Sequence, residues 1–218
     1  MASAQRVRLR TRVADLWLCD TRALAADAPR LLATLAPWEH TDREHRRLGR
    51  GALRMVLARY LGGPPAEVDV RRRCPACGGR DHGPVRADGL HVSIAYTAGL
   101  VAIAVADRPV GVDVERIRPD LVWEPIARTV LGDGRIASLE AFYAAWTARE
   151  ATGKARGTGL CGPPAGRHES ADAGGLEGRE RVRGEGLPGG VRGDGGEAAV
   201  ARLVRWRWGA SYVGALVM

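Results

Sequence analysis

Asparagine is absent from this 218-residue chain, and glutamine, phenylalanine and lysine occur once each, as Gln5, Phe142 and Lys154. The other 32 of the 33 basic residues are arginine. Such depletion beside abundant Ala, Arg, Gly and Pro reflects a GC-rich coding sequence and carries no functional message by itself. Aromatic residues make up only 5 % of the chain, so its core is built from small side chains. Long apolar runs are also missing. The longest, Leu100 to Ala106, has seven residues, whereas a membrane-spanning helix needs about 20. The first residues, Met1 to Arg6, lack the apolar stretch of a signal peptide. Four cysteines are too few for a disulfide scaffold, and free thiols in a reducing cytoplasm are the expectation. No membrane partner is expected.

What is present suffices for a globular protein: 45 % of residues are apolar, which argues against wholesale disorder. The net charge of +8 calls for a polyanionic partner, whether a nucleotide cofactor, an acidic protein or nucleic acid. Val13 to Leu18 reads as a first strand, and Asp42 caps a predicted helix that Gly62-Gly63-Pro64-Pro65 ends at Leu61. On that helix Leu53, Val56, Leu57 and Tyr60 form an apolar stripe. Arg43, Arg47, Arg50 and Arg54 form a basic one, whose simplest reading is a solvated face. Strands are predicted at Val68–Arg72, His91–Tyr96, Val101–Ala106 and Val110–Glu115, and a helix at Leu139–Lys154. Two closing strands, Ala201–Trp208 and Ser211–Met218, follow. Residues 161–200 hold 12 of the 29 glycines and no aromatic, and read as loop or disorder.

Two short segments carry chemistry. In Val110-Gly111-Val112-Asp113-Val114-Glu115, strand alternation puts both carboxylates on one face and Val112 and Val114 in the core. Two carboxylates roughly 7 Å apart form a half-site for a hard cation such as Mg²⁺, or else a solvated face. In Trp146-Thr147-Ala148-Arg149-Glu150-Ala151-Thr152-Gly153-Lys154, Glu150 and Lys154 stand one helical turn apart. They are either a routine surface ion pair or a third carboxylate with a cation for phosphate oxygens.

Together with Gly157-Thr158-Gly159-Leu160, the ordered pair of segments resembles the signature of Sfp-type 4′-phosphopantetheinyl transferases. The likeness runs from about Leu35 to Leu160 and resumes in Gly209–Val217, with Arg149 where the family usually has lysine. The resemblance implies an α+β fold of two pseudo-symmetric halves, here 1–108 for coenzyme A and 109–218 for the metal. The second half is partly degenerate because of its Gly-rich segment. It also implies transfer of 4′-phosphopantetheine from coenzyme A to a serine of an acidic acyl or peptidyl carrier protein. By position, Asp113, Glu115 and Glu150 would hold Mg²⁺, Glu150 would activate the serine, and Lys154 would neutralise phosphate charge. Arg46 or Arg47 would meet the cofactor's 3′-phosphate.

The chain departs from the family's Ser-His step with Ala95-Tyr96, followed by Thr97, where a phenol replaces an imidazolium. The family's Gly-Lys/Arg-Pro loop appears as Gly83-Pro84, with Arg86 two residues later. Arg46, Arg47, Arg86, Tyr96, Thr97 and Lys154 are thus the cofactor-binding candidates. Two other readings stay open: a weakly active or inactive member of the same family, and a basic nucleic-acid-binding module using Arg205-Trp206-Arg207-Trp208. Burial of the two tryptophans in a core is favoured over that second use. Cys74-x-x-Cys77 with His82 suggests a zinc knuckle, but Ala87 stands where its fourth ligand belongs, so an unliganded loop is favoured.

Overall fold

The seven-residue apolar run Leu100–Ala106 is buried at every position, which explains its lack of alternation. It is one strand of an antiparallel sheet and has a partner on each side. The computed structural model describes residues 4–7, 14–74, 77–80, 83–131, 136–159, 184–186 and 202–218. Within them the chain divides into two compact units, Met1–Val110 and Gly111–Met218.

The first unit has strands β1 (Ala4–Val7), β2 (Ala14–Asp20), β3 (Arg71–Arg72), β4 (Val85–Ala87), β5 (Leu90–Thr97) and β6 (Leu100–Ala106). They are ordered β1-β2-β6-β5-β4-β3. Strands β5 and β6 form the expected hairpin, with Thr97 opposite Leu100 and Ile94 opposite Ile103. Helix α1 (Thr21–Ala26) is capped by Asp20, whose carboxylate accepts from the Arg22 and Ala23 amides. Helix α2 (Ala28–Leu32) follows, and α3 (Glu44–Leu61) crosses the sheet. Its Leu48, Ala52, Leu53, Val56 and Leu57 pack with Trp17, Leu24, Val85, Val92 and Ile103 in one core.

Three expectations need correction here. The α3 N-cap is Arg43, which makes no side-chain cap bond, and Asp42 lies outside the helix. The basic stripe is not uniformly solvated, because Arg54 is buried. Its Nε donates to Glu39 Oε2 at 2.5 Å, and its Nη1 reaches the carbonyls of Pro65, Ala66 and Val68 at 3.2, 3.1 and 2.9 Å. The strand expected at Val68–Arg72 is also shorter: Pro65–Glu67 forms a 3₁₀ turn, the Val68 carbonyl accepts from Arg54, and only Arg71–Arg72 pairs with β4.

The second unit contains β7 (Gly111–Arg116), a short helix α4 (Glu124–Ile126) running into a wide turn at Ala127–Leu131, and α5 (Leu139–Arg156). Strands β8 (Gly184–Gly186), β9 (Arg202–Trp208) and β10 (Tyr212–Val217) complete a sheet ordered β7-β10-β9-β8. Ser138 caps α5 by accepting from the Ala141 amide. Of the Gly-rich stretch, β8 is described and pairs with β9; the rest of that expectation lies outside the described residues. Of the two tryptophans expected in the core, Trp206 is buried and Trp208 only half-buried, and Arg207 on the face opposite Trp206 pairs with Glu140. Helices and antiparallel sheets thus combine in an α+β fold. Among the described residues no helix is long and apolar enough to cross a membrane.

The Arg54–Glu39 pair yields a stability test. Arg54→Met leaves a buried carboxylate without its cation and is expected to destabilise the protein by about 3–5 kcal/mol in urea unfolding.

Candidate functional site

The second unit is organised by one close contact between strand and helix. A Cβ on Gly111 would fall 1.9 Å from the Ala151 carbonyl oxygen and 2.5 Å from the Ala155 amide nitrogen. Only glycine lets β7 lie this close to α5. Strand alternation then puts Gly111, Asp113 and Glu115 on the same helix-covered face. Val112 and Val114 are buried on the other side, so both faces of β7 are covered. The shared carboxylate face is as read from the sequence, and of the two readings of its surroundings the solvated one does not hold for Asp113, which is 5 % exposed.

Lys154 reaches this face from the last turn of α5. Its Nζ donates to Asp113 Oδ1 at 2.7 Å and to the Val112 carbonyl at 3.1 Å. Of the two readings of Glu150 and Lys154, the ion pair along the helix is not formed, because the lysine is committed across to the strand. Asp113 Oδ2 is buried and has no hydrogen-bond partner. Burial pushes the Asp113 carboxyl up to about 7; Lys154 works against that rise, and Glu115 and Glu150 add to it. Three carboxylates therefore share one electrostatic neighbourhood with one ammonium.

Glu115 is half-buried, and its Oε1 accepts from Trp146 Nε1 at 3.3 Å. Trp146 is set by Phe142, 6.1 Å away between ring centres, which also contacts Trp123 and Tyr143. The sequence reading gave Trp146 no role of its own, although it opens the second motif. Its position one turn before Glu150 was the available signal. Among the described residues no group of three or more metal-ligating side chains is gathered tightly enough to hold an ion in this structure. The donor chemistry nevertheless fits a hard cation: oxygen ligands only, with one buried carboxylate oxygen lacking a partner.

In the first unit, Tyr96 projects from β5 against α3 at Gly49, and the Arg46 guanidinium carbon lies 5.9 Å from its ring centre. Arg47, also on α3, has a buried Nε without a hydrogen-bond partner. Thr97 ends the strand on the opposite face. Arg86 does not join Arg46 and Tyr96. It sits opposite His91, five residues earlier on β5, and donates to the His91 Nδ1. Burial, with Arg86 beside it, lowers the His91 imidazole below its usual range, which favours the neutral acceptor form. Cys74 and Cys77 lie in a turn where the Gly79 amide donates to Cys77 Sγ at 3.4 Å; His82 lies outside the described residues.

With this geometry in hand, comparison with characterised proteins is informative. No family model matches the chain. It is similar to HetI of Nostoc sp. (strain PCC 7120), a 4′-phosphopantetheinyl transferase, at 32% identity over 133 residues. The aligned part is 54% of this chain and 54% of HetI, so the chain spans about half the length of the relative it matches.

Gly111→Ala is expected to force α5 off β7 and to cost about 1–3 kcal/mol in thermal or urea unfolding. A variant as stable as the parent would contradict the close contact.

Proposed function

We propose that the chain transfers 4′-phosphopantetheine from coenzyme A to a serine of an acidic acyl or peptidyl carrier protein, with Mg²⁺, in the cytoplasm. Carriers of polyketide or non-ribosomal peptide assembly are the substrates this reading favours. The observation that carries it is the buried Asp113 carboxylate, half satisfied by the sole lysine and flanked electrostatically by Glu115 and Glu150. The likeness to a named transferase and the ordered motif pair support the same conclusion.

Asp113, Glu115 and Glu150 would hold the metal, and three carboxylates against one ammonium leave the negative excess that a divalent cation offsets. When bound, Mg²⁺ supplies charge stabilisation to the diphosphate and to the developing phosphoryl transition state. Glu150 accepts the serine hydroxyl proton, directly or through a water. The serine oxygen bonds to the β-phosphorus, the bond from that phosphorus to the bridging oxygen breaks, and adenosine 3′,5′-bisphosphate leaves with the electron pair. Lys154 has three N–H donors, of which two go to Asp113 and Val112. One is left to meet an oxygen on the leaving-group side. Arg46 and Arg47 are the candidates for the 3′-phosphate, with Tyr96 beside them; Arg86, bonded to His91, and Thr97, on the opposite face of β5, are not gathered with them.

The direct test mixes the protein with coenzyme A, Mg²⁺ and apo carrier proteins, and weighs the carriers. A phosphopantetheine adduct is expected. No adduct on any of several carriers, from a demonstrably folded sample, overturns the reading.

Asp113→Ala and Glu150→Ala are each expected to slow transfer by at least about a hundredfold with the fold retained by circular dichroism. Lys154→Arg is expected to slow it as well, because a planar guanidinium cannot reproduce the ammonium's bonds to Asp113 and Val112. Parental rates in these variants would mean that the site is misassigned.

A further inference from the structure

The loop between β3 and β4 holds two thiols that the candidate site does not use. Cys74 and Cys77 are reduced in this structure; Cys74 is half-buried and Cys77 is exposed. Two backbone bonds close the chain around them. The Cys74 amide donates to the Gly79 carbonyl, and the Gly78 amide donates to the Cys74 carbonyl, both at 2.8 Å. Gly78 permits this closure with a φ of +73°, a region glycine enters without strain. A turn closed this tightly keeps Cα atoms three residues apart within about 7 Å. A disulfide spans about 4.4–6.8 Å between Cα atoms. The fold therefore gathers the two cysteines without joining them.

Their sulfurs are not equivalent. The Gly79 amide donates to Cys77 Sγ at 3.4 Å, which orients that sulfur at the surface. Gly83 packs on the backbone at Cys74: its φ is +94°, and a Cβ there would fall 2.6 Å from the Arg73 carbonyl oxygen and the Cys74 amide nitrogen. From Arg71 to Arg80 the chain carries four arginines and no acidic residue. The bond between Cys74 and Gly79 puts Arg73 and Arg80 at the joined ends of the turn. Reactive thiols sit in electropositive, partly exposed surroundings of this kind. A cation held by the same pair would instead meet repulsion from those arginines. Cys19 is the contrast: it lies in the first unit's core, where burial pushes its thiol up to about 12 and leaves it inert.

We propose that Cys74 and Cys77 form a peroxide-reactive dithiol, with Cys77 as the attacking thiol and Cys74 as the resolving one. The Cys77 sulfur bonds to one oxygen of a hydroperoxide, the O–O bond breaks, and the thiol proton leaves with the other oxygen as water or an alcohol. The Cys74 sulfur then bonds to the Cys77 sulfur, the S–O bond breaks, and the hydroxide leaves as water with the Cys74 proton. The pair loses two electrons, and one hydroperoxide is reduced. This chemistry does not rest on the transferase reading.

Trypsin cleavage after Arg73 and Arg80 releases both cysteines in one peptide, so the oxidation can be weighed. The full chain and a synthetic peptide spanning Cys74 to Arg80 are exposed to the same few equivalents of hydrogen peroxide. Samples are quenched over time with N-ethylmaleimide, digested and analysed by mass spectrometry. The segment is expected to lose two hydrogens, as an internal disulfide, at least about tenfold faster in the protein than as a free peptide. Cys74→Ser is expected to stop at a sulfenic acid on Cys77, which dimedone labels. In Cys77→Ser, labelling of Cys74 is expected to be at least about tenfold slower. Equal oxidation rates in protein and free peptide overturn the proposal, because the fold would then contribute nothing. Equal labelling in the two variants overturns it as well, as does a disulfide that joins either cysteine to Cys19 or Cys161.

Discussion

One ammonium, Lys154 Nζ, ties the end of α5 to the middle of β7, and the arrangement of the candidate site depends on it. Burying a carboxylate such as Asp113 is costly unless a cation and hydrogen bonds offset the loss of water. Lys154 satisfies one of its oxygens and leaves the other without a partner. Glu115 and Glu150 raise the local negative charge further. The lysine stabilises one contact and leaves a negative excess, the electrostatic condition for holding a divalent ion. The contact exists because Gly111 brings helix and strand together two residues before Asp113.

Much of this was legible in the sequence, and the failures share one cause. Period-two alternation in Val110–Glu115 correctly put Asp113 and Glu115 on one face, since that periodicity is a property of the backbone. Nothing in the alternation told which face α5 would cover. The glycine two positions before Asp113, on the same face, was the overlooked sign. Glu150 and Lys154 were rightly on one helix, but the local pairing rule lost to a partner 41 residues away in sequence. Arg54 fitted a solvated stripe until Glu39, 15 residues upstream, folded beneath it. Periodicity reports what an element can present and cannot report which distant segment will cover it. Composition added one useful pointer: the sole lysine in an arginine-rich chain occupies the position that joins strand to helix.

The two units carry unbalanced charge of opposite sign by the same device. In the first, arginines gather around Tyr96 while the acid that could neutralise them is committed to Arg54. In the second, carboxylates gather around a single lysine. Each imbalance is destabilising in the unliganded protein. The overall charge of +8 is therefore less telling than its distribution.

The central claim is that the free oxygen of Asp113 is a cation ligand. It is tested most directly by titrating the protein with Mn²⁺ in the presence of coenzyme A and following the free ion by electron paramagnetic resonance. The account predicts one tightly held Mn²⁺ per chain, with binding at least about tenfold weaker in Asp113→Asn, a variant of nearly the same shape lacking the charge. Equal Mn²⁺ binding by the parent and the asparagine variant would contradict it.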